Sequence, residues 1–360
     1  MRYLFHAILL AVVLSLTFLA SPADACGCGG YIPRDGTASV SQERALLRWD
    51  GKTEDIVMSL GVLGESKDAA VILPVPSRAE MKLGDARVFD ELEDFTKPTI
   101  QEERVAPTLM LGAGAAPGAP AVTVLERKQL GPFDVSNLAA SDTTALGEWL
   151  KQNGYYDNFS PGLAKALQPY ADQGWDFIAV RIQPGTSTDM LKGNLDPLWA
   201  TFATNKLVYP MRASANASNW ESVTVYVLAD HRVQKNTSFG ASDVTFAGWV
   251  DPSVLQADPA LQSFVTRKWF LTKFEDNVDP KQVNDDFIFT PAPNDDAYRA
   301  VRVVKVEDSS LLLPDLAGLL LALVAMFFVT VCLPVLLIIG VIVLIVILIR
   351  RRNKARAQAA

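Results

Sequence analysis

The chain has 360 residues, 33 basic against 40 acidic, a formal charge of −7 and three cysteines. Setting aside its two apolar ends leaves the stretch from Cys26 to Ser310, with 27 basic and 38 acidic residues, hence −11. That is chain enough for one large domain or two smaller ones. The acidic balance argues against nucleic acid or anionic lipid headgroups as ligands, and two cysteines outside the apolar runs are too few for a disulfide framework.

Residues 1–25 read as a secretory signal: Met1-Arg2 is a basic start, Tyr3 to Ala20 a mostly apolar run, and Ala23-Asp24-Ala25 a small-x-small cleavage pattern. Cys26 would then open the mature chain, but Asp24 and the absence of a Leu at position 23 argue against lipid attachment. Cys26-Gly27-Cys28 could close on itself as a disulfide, link two chains or bind a metal. Tetrahedral zinc needs four ligands, and beyond these two there is only His231. An intrachain disulfide, or a lightly structured anchor near the mature N-terminus, is favoured.

Further along, Ala45 to Trp49 and Ile56 to Leu60 read as a hairpin around a two-residue Asp50-Gly51 turn. Ala69 to Val75 is a strongly apolar strand, stopped by Pro74 and Pro76. Asp85 caps a helix with Val88, Phe89, Leu92 and Phe95 on one face, ended before Pro98. Leu111 to Ala121 is rich in Gly, Ala and Pro. It contains Gly112-x-Gly114, but Pro117 and Pro120 forbid the helix a phosphate loop would need, so it reads as a flexible linker. Residues 141–174 form a helical hairpin, with Ser141 capping the first helix, Ser160-Pro161 starting the second and Gly174 ending it. A strand follows from Trp175, a short helix opens at Asp196-Pro197, and Leu207 to Met211 is extended. Ser222 to Leu228 alternates with period two, as a half-buried strand should. Val265 to Phe274, Phe287 to Phe289 and Val301 to Val306 supply later strands. Strands in runs with few helices make the class α+β: a β-rich domain over residues 26–310 with an inserted helical hairpin, the β-rich halves being about 26–135 and 175–310.

The chain closes on 34 uncharged residues, Leu316 to Ile349, followed by Arg350, Arg351, Arg352, Lys354 and Arg356. A membrane span needs about 20 apolar residues. Cations at a span end favour the cytoplasmic side, so residues 350–360 are expected inside and the domain outside. One span fits, about Phe327 to Ile349, tilted or kinked around Pro334, with Leu316 to Met326 as an interfacial extension.

The catalytic inventory is thin. No H-E-x-x-H, no G-x-S-x-G and no cysteine–histidine pair with spare partners occurs outside the apolar runs. His231 reads as a loop histidine bonded to backbone. Asn284-Asp285-Asp286 and Asn294-Asp295-Asp296 lack the glycine of a calcium loop and read as solvated turns. No catalytic, cofactor-binding or metal site is assigned.

Several segments together carry a resemblance: Cys26-Gly-Cys-Gly-Gly30, the hairpin from Arg44 to Leu60, Ile72-Leu-Pro-Val-Pro-Ser77, Leu130-Gly-Pro-Phe-Asp-Val135, Ala145 to Tyr155 and Leu207-Val-Tyr-Pro-Met-Arg212. They resemble the bacterial domain of unknown function 2330 family. The resemblance implies an extracytoplasmic protein with signal peptide and membrane anchor, and it carries no catalytic residues across. The expected function is a single-pass envelope protein, held in the bilayer by its last helix, that binds or organises other envelope components without a cofactor. The alternatives are an extracytoplasmic hydrolase built from carboxylates that spacing cannot pair, and signal transmission through a partner helix.

Overall fold

A computed structural model describes residues 30–34, 38–105, 129–130, 133–155, 159–182, 191–217, 219–237, 239, 243–255, 259–307 and 313–357. The segment expected to be a secretory signal, residues 1–25, together with Cys26, Cys28 and the stretch Leu111 to Ala121, lies outside the described residues. The chain divides into two compact units, residues 1–99 with 116–300, and residues 100–115 with 301–360.

The first unit is built on alternation. In the strand Ser39–Trp49, Ala45 and Leu47 join one apolar cluster while Leu46 joins another. The strand Ala69–Val75 does the same with Val71 and Leu73 against Ala70 and Ile72. Both strands bury two faces because each sheet is covered on two sides. A nine-stranded sheet runs Tyr298–Arg299, Asp243–Val250, Trp269–Val278, Glu221–Ala229, Ser39–Trp49, Thr53–Ser66, Leu198–Ala203, Glu80–Leu83, with Leu191–Asn194 also on Thr53–Ser66. A five-stranded sheet runs Gly30–Pro33, Ala69–Val75, Asp176–Ile182, Phe133–Ala139, Gln129–Leu130. Both sheets draw strands from either side of the helical pair in sequence.

The central core lies between these sheets, where Leu47, Met58 and Val225 share a cluster with Val71, Leu73 and Val180. Outside the five-stranded sheet pack the helices α2, Thr143–Gln152, and α3, Pro161–Asp172, through Leu146, Leu150, Leu163 and Leu167. Outside the nine-stranded sheet pack the helix α1, Arg87–Thr96, and the short turn Pro259–Gln262, through Val88, Phe89, Leu92 and Leu261. The layers are helix, sheet, sheet, helix, an α+β arrangement. A three-stranded sheet, Leu207–Tyr209, Phe287–Pro291, Val233–Asn236, adds Tyr209, Phe287 and Phe289 to the central core.

Local differences from expectation have local causes. The hairpin connection takes three residues, Asp50 to Lys52, because the Asp50 carboxylate accepts the amides of Lys52 at 3.0 Å and Thr53 at 2.8 Å while Gly51 turns left-handed (φ 94°). The cap of α2 is Asp142, not Ser141; its carboxylate accepts the Ala145 amide at 2.8 Å. The segment after Asp196 is a strand, Leu198–Ala203, not a helix. Leu198, Ala200 and Phe202 are buried and Trp199 and Thr201 half-buried, which is period two.

In the second unit, Thr99–Val105 and Val301–Glu307 pair as a two-stranded ribbon. The C-terminal run is helical from Leu313 to Ala357, as α-helix to Phe327, a π-turn at Phe328–Cys332, and α-helix again from Leu333. The wide turn precedes Pro334, whose ring clashes with the carbonyl four residues back, that of Thr330. Thr330 Oγ1 also bonds the Met326 carbonyl at 2.7 Å. From Leu320 to Arg351 this helix is long and apolar enough to cross a membrane, and none of its most apolar stretch is buried in protein.

Candidate functional site

The outer face of the nine-stranded sheet is covered only in its middle, and α1 leaves an open cleft of about 520 Å³ along one side. Its floor is the solvent-facing set of four strands, Gln42 and Arg44, Ser222, Thr224 and Tyr226, Glu275 and Asn277, Asp243 and Thr245; its wall is Phe89, Asp90 and Glu93 of α1. Four strands converge there because alternate residues of neighbouring strands share a face.

The charges are organised around Lys273, which is 1% exposed. Its ammonium contacts Glu93 and Glu275, each at 2.7 Å, and Glu93 also accepts from the Tyr226 hydroxyl at 2.8 Å. Partial burial pushes the Glu93 carboxyl up, but the hydrogen bonds from Lys273 and Tyr226 outweigh it and hold the group below its ordinary range. Burial, with the Glu93 charge beside it, pushes the Tyr226 phenol well up. Arg44 lies 4.9 Å from the Phe89 ring centroid and 3.7 Å from Asp90. Both cations of the cleft are thus already matched, and its surplus is negative.

His231 and the acidic triplets sit elsewhere. His231 Nδ1 lies 2.9 Å from Asp295, not on backbone, and this hydrogen bond raises its pKa. Asp295 also takes the Arg232 amide at 2.8 Å, so the pair closes a surface loop. The first triplet is not a solvated turn: Asp286 is buried, bonded to the Tyr170 hydroxyl and to the Met211 amide at 2.9 Å, and Asp285 pairs with Arg212. Burial raises Asp286 despite these donors. Among the described residues, no group of three or more His, Cys, Asp or Glu could hold a metal ion. Arg350 and Arg351 are exposed on the C-terminal helix, and Arg352, Lys354 and Arg356 continue it.

No sequence motif marks the cleft. Its only signal is polar residues at the outward positions of strands whose inward positions are apolar, as in Ser222-Val-Thr-Val.

No curated protein matches this chain. Among solved structures, baculovirus P35 matches over 71% of this chain and 97% of its own, at 13% identity and a TM-score of 0.35, too loose an overlap to define a shared fold. A family model described as an uncharacterized protein conserved in bacteria matches residues 22–290, which include every strand and helix that forms the cleft. The chain belongs to that bacterial family, DUF2330.

Proposed function

We propose that this protein is held in a bacterial membrane by its C-terminal helix, carries its layered α+β domain on the outer side after removal of residues 1–25, and binds other envelope components through the acidic cleft beside α1. The run from Leu320 to Arg351 supports the anchor, and the cations from Arg350 onward support an inward tail.

The observation that carries binding is the state of the cleft carboxylates. Glu93 and Glu275 share the Lys273 ammonium, and Glu93 is held ionised below its ordinary range. A general acid needs the opposite, a carboxyl pushed up towards the working pH. Of the described carboxyls that burial pushes up, Glu54 and Asp286 are enclosed in the core, Asp196 does not line the cleft, and Asp276 borders the cleft with its side chain fully buried against Lys235. Among the described residues the hydrolase reading therefore has no solvent-facing acid at the cleft, whereas a fixed array of ions and hydroxyls suits recognition.

A photo-crosslinking residue at Thr224 in the cleft, compared in living cells with one at exposed Trp220, tests this reading. Discrete adducts from the cleft position, lost in Glu93→Gln, are expected. Identical patterns from both positions would contradict it.

A further inference from the structure

The strand register draws the floor of the cleft beside α1 into a row. Asp243 stands opposite Glu275, Glu275 opposite Thr224, and Thr224 opposite Arg44, and all four line the cleft. Paired strands lie about 4.8 Å apart, so the row runs about 14 Å from Asp243 to Arg44. At the Arg44 end α1 closes over the row through Asp90 and the Phe89 ring, and at the other end Asp243 is exposed.

The charges along this row do not balance. Asp90, Glu93, Asp243 and Glu275 meet only Arg44 and Lys273, a surplus of two negative charges. The Lys273 ammonium is divided between Glu93 and Glu275, at 2.7 Å each. The Asp243 carboxylate makes no ion pair among the described residues. Lys235 feels its charge through the sheet, but that ammonium is fully buried and spent on Asp276 at 2.7 Å. Directly opposed residues on paired strands hold their Cβ atoms about 4.5–5.5 Å apart, and like charges so placed destabilise a sheet. Asp243 beside Glu275 is therefore a cost to the fold that a cation arriving from solvent would relieve.

This imbalance selects among ligands. Anions are repelled, and an apolar group would cover Gln42, Ser222, Thr224 and Asn277 without hydrogen-bonding them. A metal ion is not suited, because among the described residues no group of three or more His, Cys, Asp or Glu could hold one. An organic cation remains. A guanidinium fits best, since its planar fork of N–H donors can take two carboxylates at once, whereas an ammonium is a compact point charge. The next row, Asn277, Ser222 and Gln42, offers amides and a hydroxyl to the main chain of a peptide, and about 520 Å³ leaves room for one. We propose that the cleft recognises a basic segment of a partner protein, with an arginine guanidinium seated between Asp243 and Glu275, which rests on the reading of this cleft as the recognition surface and names the chemistry of its partner.

The test is calorimetric titration of the full chain in detergent micelles with acetyl-Ala-Arg-Ala-Arg-Ala-amide, and with the same peptide carrying uncharged citrulline for arginine. Saturable binding of the arginine peptide is expected, weakened by added salt, with none of the citrulline peptide. Asp243→Asn weakens binding about tenfold, the scale of one charged hydrogen bond. The same variant leaves the melting temperature of the free chain unchanged or raised, because it removes one of two opposed like charges. A carboxylate that serves the fold would lower it instead. No saturable binding of the arginine peptide, equal binding of the citrulline peptide, or a lowered melting temperature with unchanged affinity in Asp243→Asn would overturn the assignment. Photo-crosslinking from Thr224 separates the two levels. Adducts that persist in Asp243→Asn leave the cleft as a recognition surface and overturn its basic partner, whereas no adducts at all overturn both.

Discussion

Lys235 and Asp276 meet at 2.7 Å with both side chains fully buried, the ammonium 3.9 Å from the Phe287 centroid. The pair joins the three-stranded sheet to the nine-stranded one, as the Tyr209–Glu43 hydrogen bond does nearby. Removing one member strands the other charge in the core. Lys235→Met should therefore cost about 3 kcal/mol or more in urea unfolding, and Lys235→Met with Asp276→Leu should recover most of that loss. Equal losses in the single and double variants would contradict a pairing role. Other core groups set a pH profile. Burial raises Glu54 and Asp286, so each binds its proton more tightly in the folded state, and stability falls as pH rises through their folded values. His231, raised by Asp295, adds stability below its ordinary value that is lost on the same rise. Glu93 is lowered and works the other way: its contribution is present above the ordinary carboxylate value and lost as pH falls through its folded one. Melting temperature should thus peak in mild acid, between about pH 4 and pH 7. Glu54→Gln should flatten the decline on the alkaline side of that peak.

Elements were legible where one face or one cap decides them. The helices of residues 141–174 follow from apolar spacing with Ser160-Pro161 and Gly174 at their limits. Asp142 and Ser141 could each cap α2 by residue type, and only the observed acceptor to the Ala145 amide separates them. Asp142→Ala should cost about 1 kcal/mol in thermal or urea unfolding and Ser141→Ala a few tenths at most. The stretch Leu198-Trp-Ala-Thr-Phe202 was open to misreading because its large residues fit a helical face, while its alternation becomes decisive only with neighbours on both sides. The hairpin carboxylate of Asp50 shows the same limit, for a side chain that gathers two amides lengthens a turn that residue types alone would shorten.

At the scale of the molecule, the apolar ending and the α+β class were written in composition and periodicity, which are local properties. The cleft was not, because Gln42, Glu93, Thr224, Asp243 and Glu275 reach one place only through strand order, and that order includes a parallel pairing of Ser39–Trp49 with Glu221–Ala229 across half of the chain. Pairings so distant in sequence leave no periodic trace. The central claim is an anchored chain with its folded domain outside and its basic end inside. Single cysteines replacing Lys268 of the domain or Gln358 of the tail, in a chain whose own three cysteines are replaced by serine, test it most directly when spheroplasts meet a membrane-impermeant maleimide. The account predicts labelling at position 268 in intact spheroplasts and at position 358 only after permeabilisation; the reverse pattern would contradict it.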